Sequence, residues 1–248
     1  MMILRVRISC ALLLALPLPL TVLAADLPEA AGCQSQALDF TRHAAAWVHV
    51  PLSAFKHDTR YSIEQEGNRK VLKAVADDSA SLYAVQFKAP LAGLVSLQWR
   101  WKTESLIPGA DNRDQRHEDA PVRVMISFDG DRSRLSETEQ FRLKMSKAIS
   151  GVELPFATLM YIWSEQVALE SIIPSAHTSQ VKMLVVTSGS TGLGQWQKME
   201  RRIADDYRRA FGAEPGNITG VSVMTDTDNT GEKAKSWYAD IRLDCARN

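Results

Sequence analysis

Alternation with a period of two recurs along this chain and fixes its fold class. In LVSLQWRWK, Val95, Leu97, Trp99 and Trp101 fall on one face, and Ser96, Gln98, Arg100 and Lys102 on the other. VRVMISF sets Val122, Val124, Ile126 and Phe128 against Arg123, Met125 and Ser127, while SLYAVQFK aligns Tyr83, Val85 and Phe87. In the last segment Trp237, Ala239, Ile241 and Leu243 alternate with Tyr238, Asp240, Arg242 and Asp244. Side chains of a strand point alternately to its two faces, so each segment reads as a half-buried strand. Further strands are expected near 61–66, 71–76, 159–163, 181–187 and 218–224.

Two segments depart toward helix. Ser136 followed by Glu139 has the form of a capping box, Phe141, Met145 and Ile149 recur every four residues, and Gly151 supplies a stop. A second helix is expected from about 199 to 210, before Phe211 and Gly212. Repeats, low-complexity tracts and linkers are absent from the sequence. The expected fold is mainly β: one antiparallel β-sandwich of jelly-roll type with two short helices, spanning 26–248.

The first 25 residues stand apart from that domain. Arg5 and Arg7 precede an apolar run from Ile8 to Val22, and Val22-Leu23-Ala24-Ala25 has the small residues of a secretory cleavage site. Pro17 and Pro19 break the run, which is short for a membrane span. The expected location is periplasmic or secreted, with no stable membrane span once the signal is removed. A lipid anchor at Cys33 is the alternative, but Asp26 and Glu29 separate that cysteine from the apolar run. The full chain balances 29 Lys and Arg against 29 Asp and Glu, so no basic field attracts nucleic acid or anionic lipid.

Outside the signal the cysteines are Cys33 and Cys245. An even pair in an oxidising compartment reads as a disulfide joining the two ends of the domain. Closing so long a loop contributes at most roughly 4–5 kcal/mol. Cys245 is in phase with Trp237 and Leu243, which aims it at the core.

Several catalytic patterns fail on inspection. The five histidines form no zinc-binding spacing. In Thr187–Gly192, Ser190 lacks the glycine two positions earlier that a nucleophile elbow requires, so Gly189, Gly192 and Gly194 are assigned to a surface loop. MTDTDNTG puts Asp226, Asp228, Thr230 and Gly231 at positions one, three, five and six of a calcium loop, but position twelve is Trp237 where glutamate is needed. It is not an EF-hand. Asp228-Asn229-Thr230-Gly231 has the composition of a hairpin turn, and Asp226 and Asp228 exceed what a turn requires. With Asp240 they are the candidate ligands of a structural Ca2+, since hard cations take carboxylate oxygens from any scaffold that gathers them.

Strand parity puts Lys102, Arg123, Tyr238 and Asp240 on the non-core side, a mixture suited to sugar or an ordinary solvated face. Trp99, Trp101 and Trp163 are assigned to the core, while Trp196 is less constrained. Arg201, near Asp205, Asp206 and Tyr207, is either a solvated helix charge or a contact for an anionic ligand.

Three patches together resemble a bacterial domain-of-unknown-function family, number 3047, whose members are typically exported: WRWK with the later PGAD, DAPVRVMISF, and ERRIADDYRRAFG with ITGVSVMTDTDNTGEKAKSWYADI. The resemblance covers nearly the whole domain and implies no particular reaction. A second likeness, to jelly-roll carbohydrate-binding modules, rests on Tyr238-Ala239-Asp240 in the last strand, and implies an acid there holding a structural calcium.

The leading expectation is a β-sandwich that binds a saccharide or cell-envelope glycan through Lys102, Arg123, Tyr238 and Arg201. An enzyme acting on polysaccharide is the first alternative. Asp119 with Asp226 or Asp228 would be the hydrolytic pair, which needs carboxylates roughly 5–10 Å apart. Alternatively, a lyase base would be Tyr238 or His117. A non-catalytic envelope scaffold is the third.

Overall fold

The computed structural model describes residues 33–53, 55–150, 154–176 and 178–246, with the side chains of 146–150 excepted. The expected signal segment, Gly151, His177 and the side chain of Ile149 lie outside the described residues. The chain begins with β1 (Gln36–Ala37), β2 (Trp47–Pro51), β3 (Arg60–Glu66), β4 (Arg69–Asp77) and β5 (Ser81–Ala89). Next come β6 (Leu94–Thr103), β7 (Ala120–Phe128), α1 (Glu137–Ser150), β8 (Ala157–Ser164), β9 (Ile172–Pro174) and β10 (Val181–Ser188). It ends with β11 (Gln197–Arg201), α2 (Ile203–Phe211), β12 (Ile218–Asp226) and β13 (Lys233–Cys245).

Two sheets result. The first runs β11-β6-β13-β4-β3, with β1 against the far end of β13; the second runs β2-β5-β12-β7-β8-β10-β9. Every pairing is antiparallel except β8 with β10. This is a mainly β sandwich of jelly-roll type with two helices. The alternation seen in the sequence builds its core, in which Leu97, Trp99 and Trp101 of β6 face Val122, Val124, Ile126 and Phe128 of β7 and Leu159, Tyr161 and Trp163 of β8. Trp99 stacks on Tyr161 across the layers at 5.0 Å between centroids. Among the described residues no helix is long and apolar enough to cross a membrane.

First and last strands pair, and Cys33 is bonded to Cys245 with Cα atoms 5.8 Å apart. Cys245 is half-buried rather than in the core, because the register of β13 shifts between Asp244 and Cys245.

Local departures from expectation have local causes. Ser136 caps α1 by accepting the Glu139 N–H at 3.3 Å, as the capping pattern requires. Yet Phe141 and Met145 are exposed and Leu143 is buried, since only a narrow side of α1 meets the sandwich. The second helix begins at Ile203, because 199–201 are held in strand β11 by pairing with 97–99 of β6. The 228–231 turn does not close a hairpin: it carries the chain from β12 in one sheet to β13 in the other. Gly231 alone within it has positive φ, at 71°.

Candidate functional site

The acids of the sequence motif meet at one end of the sandwich, where two inter-sheet connections cross. Asp226 ends β12, Asp119 immediately precedes β7, and Asp228 lies in the connection to β13. Oxygens of the three carboxylates lie within 4.8 Å of one another. Each already has partners. Asp226 accepts the Ala120 N–H at 2.9 Å and the Arg123 Nε–H at 3.0 Å, and its second oxygen lies 2.9 Å from Arg123 Nη2. Asp119 accepts the Thr230 N–H and hydroxyl at 2.8 and 2.6 Å, and the Asn229 N–H at 3.2 Å. Asp228 pairs with Lys56.

Burial pushes the Asp226 carboxyl up to about 7; the Arg123 charge pulls it down and that of Asp119 adds to the rise. The Arg123 guanidinium is itself buried, and its remaining N–H groups donate to the Glu118 carbonyl and to the sulfurs of Met160 (3.0 Å) and Met183 (3.5 Å).

Calcium needs six to eight oxygen ligands. These acids offer oxygens that already accept protein N–H and O–H groups, and Arg123 and Lys56 offset two of the three carboxylates. The donor set therefore suits a fixed polar clasp between the two connections better than a calcium site. Asp119 and Asp226 are 1% and 3% exposed, so they do not flank an open groove as a hydrolytic pair would.

The predicted ligand contacts do not share a face. Lys102 and Asp240 lie outside the first sheet, Arg123 outside the second, and Tyr238 between them in the core. Lys102 and Arg123 are parted because β6 and β7 belong to different sheets, and Tyr238 turns inward because of a bulge in β13. Ala239 is opposite Arg100 and Arg242 opposite Gln98, so Asp240 and Ile241 together stand against Trp99. Asp240 takes φ 53°, and parity reverses there. Before the bulge Tyr238 points inward and Trp237 outward; after it Ile241 and Leu243 point inward. Tyr238 bonds to Thr225 Oγ1 at 2.9 Å and to the Met224 carbonyl, and burial pushes its phenol up, which unsuits it as a base.

Asp240 is not a member of that cluster: it pairs with Arg69 and Arg100, both at 2.8 Å. Lys102 pairs with Glu66 and lies over the rings of Trp237 (4.4 Å) and Trp196 (5.1 Å). Arg201 is held charged by Asp206 and Glu170, and Asp206 also accepts the Tyr161 hydroxyl at 2.9 Å. His117 contacts Asp114 at 2.9 Å on the 104–119 connection.

An open recess of about 710 Å³ lies elsewhere, at the side of the sandwich where β3 of one sheet approaches β2 and β5 of the other. Its aromatic wall is Tyr61 and Tyr83, half-buried and stacked at 5.3 Å with 21° between planes. Trp47 backs Tyr83 at 5.6 Å and 11°. Tyr61 donates its hydroxyl to the Ser81 carbonyl at 2.6 Å, which fixes the ring. His49, Asp58, Arg60, Ser62 and Lys73 supply the polar rim, with His49 Nε2 3.8 Å from Asp58. A second recess of about 410 Å³ continues past Asp58 and Arg60 to His57, Asp77 and Asp78. The alternation in SLYAVQFK assigns Tyr83 to the core side, and nothing local shows that this part of the core is open at the sheet edge. A third recess, of about 610 Å³ beside α2, has no aromatic wall, and its Arg208 is occupied by Glu214 and Asp205.

The profile of the family described as "Protein of unknown function (DUF3047)" matches residues 45–242. The chain belongs to that family. The matched span includes all three recesses and the acidic clasp, and excludes the two bridged cysteines. No curated protein matches the sequence. Among solved structures, the chain is similar to the family 11 carbohydrate-binding module of cellulosomal cellulase Lic26A-Cel5E of Clostridium thermocellum. The identity is 11%, with 87% of this chain and 96% of that one covered and a TM-score of 0.44. It is also similar to the native family 12 xyloglucanase from Bacillus licheniformis, at 8% identity over 86% of this chain and 100% of that one, with a TM-score of 0.47. At such identities and scores neither likeness bears on ligand or activity.

Proposed function

We propose that this member of the family is an exported, non-catalytic protein that binds a saccharide or cell-envelope glycan in the lateral recess. The observation that carries the reading is the Tyr61–Tyr83 wall, half-buried and facing an open space rimmed by His49, Asp58 and Ser62. An aromatic face packs against the C–H surface of a pyranose, and a few convergent polar groups fix its hydroxyls. Export is supported by the apolar leader at 8–22 and by the disulfide, which persists in oxidising compartments.

Titration calorimetry against a panel of envelope oligosaccharides tests this. Stacking on one ring is worth about 1 kcal/mol, so Tyr83→Ala should weaken binding roughly fivefold or more. His49→Ala, altered at the exposed rim, should weaken it without changing the melting midpoint. Binding that survives both substitutions, or no binding across the panel, would refute the assignment. Chromatography of any bound oligosaccharide should show no shorter products, and cleavage would restore the enzyme reading.

A further inference from the structure

We propose that the recess selects acidic saccharides, with Arg60 receiving the carboxylate or sulfate of one sugar ring; this rests on the saccharide-binding reading above. Arg60 begins β3, is exposed, and borders both recesses. Its neighbours on the outer face of the same sheet are engaged by acids: Lys73 by Glu64 at 3.3 Å, Arg69 by Asp240 at 2.8 Å, Lys233 by Asp77 at 2.9 Å and Lys235 by Glu104 at 3.0 Å. Among the described residues Arg60 has no ion pair and no side-chain hydrogen bond. Asp58, which shares the rim, faces His49.

A guanidinium presents a planar fork that fits carboxylate or sulfate with two parallel hydrogen bonds. Lys73, on the same rim, is already paired with Glu64, which leaves Arg60 to receive the anion. The adjoining recess, beyond Arg60, has the opposite character, since Asp78 lines it beside the Asp77–Lys233 pair. A chain charged at every ring would be repelled there. The ligand that fits both recesses has an anionic ring against the tyrosines and Arg60, and a neutral or amino-substituted ring beside Asp78.

The test compares three oligosaccharides of one length by titration at low and high salt: neutral, with a single uronic acid, and with a single sulfate. The uronic-acid ligand should bind about tenfold tighter than the neutral one at low salt, an advantage of about 1.4 kcal/mol that shrinks as salt screens it. In Arg60→Gln that advantage should vanish, so that the neutral and acidic ligands bind alike. Equal gains from uronic acid and sulfate support recognition of charge, and a gain from uronic acid alone supports recognition of the carboxylate. Equal binding of neutral and acidic ligands by the wild type, or an advantage that persists in Arg60→Gln, overturns the selectivity and leaves saccharide binding standing. Failure of all three to bind overturns both.

Discussion

Replacing Arg123 by methionine separates the buried ion pair from everything around it. Arg123 and Asp226 side chains are 3% and 5% exposed, so the substitution strands Asp226 without its main counter-charge. Breaking one side of such a pair costs about 3–5 kcal/mol, most of it the desolvation of the partner left behind. The cost depends on pH in a definite direction. In the folded protein Asp226 holds its proton up to about 7, against 3.8 ordinarily. Between those values the folded state binds a proton that the unfolded chain has released, so stability falls as pH rises through the window. Arg123 is the largest influence holding the value down, with Asp119 pushing the other way. Its loss therefore extends the window upward.

The deficit of Arg123→Met relative to wild type should accordingly be small at pH 5 and reach its full size near pH 8. Urea midpoints at the two pH values measure it. Combining Arg123→Met with Asp226→Leu should recover much of the loss, because an apolar pair leaves no unpaired charge. A deficit equal at both pH values, or a double variant as unstable as the two single losses added, would refute the reasoning.

Three further outcomes follow from the fold. Reducing Cys33–Cys245, which closes a separation of 212 residues, should lower stability by up to about 5 kcal/mol, read as a shifted urea midpoint with and without dithiothreitol. Asp240→Gly should be nearly neutral, because φ 53° suits glycine and the exposed pairs to Arg69 and Arg100 are worth little, whereas Asp240→Val should cost about 1–2 kcal/mol in the same assay. Adding EDTA and then calcium should leave the melting midpoint unchanged, since Lys56 and Arg123 already occupy the acids, and a midpoint raised by calcium would overturn that reading.

Alternation alone specifies the strands around Trp99, Trp101 and Val122–Phe128, and therefore a sandwich, because side-chain direction within an unbroken strand is a local property. The cysteine pair and the cap at Ser136 are legible for the same reason: their chemistry is carried by a few residue types at particular places. The end cluster was legible in part. Asp119, Asp226 and Arg123 carry chemistry that a sequence can flag, but only the crossing of two inter-sheet connections shows that they satisfy one another. Tyr238 and Trp237 exchanged roles because a single residue, Asp240, enters the left-handed region and resets parity, an event the residue pattern does not announce. The lateral recess is tertiary in origin. Tyr61 and Tyr83 lie in different sheets, their contact requires both sheets to be in place, and their exposure depends on where each sheet ends. Sequence determined which faces are apolar; the folded structure decided which of those faces is closed by a partner and which is left open, since closure depends on residues far apart in the chain.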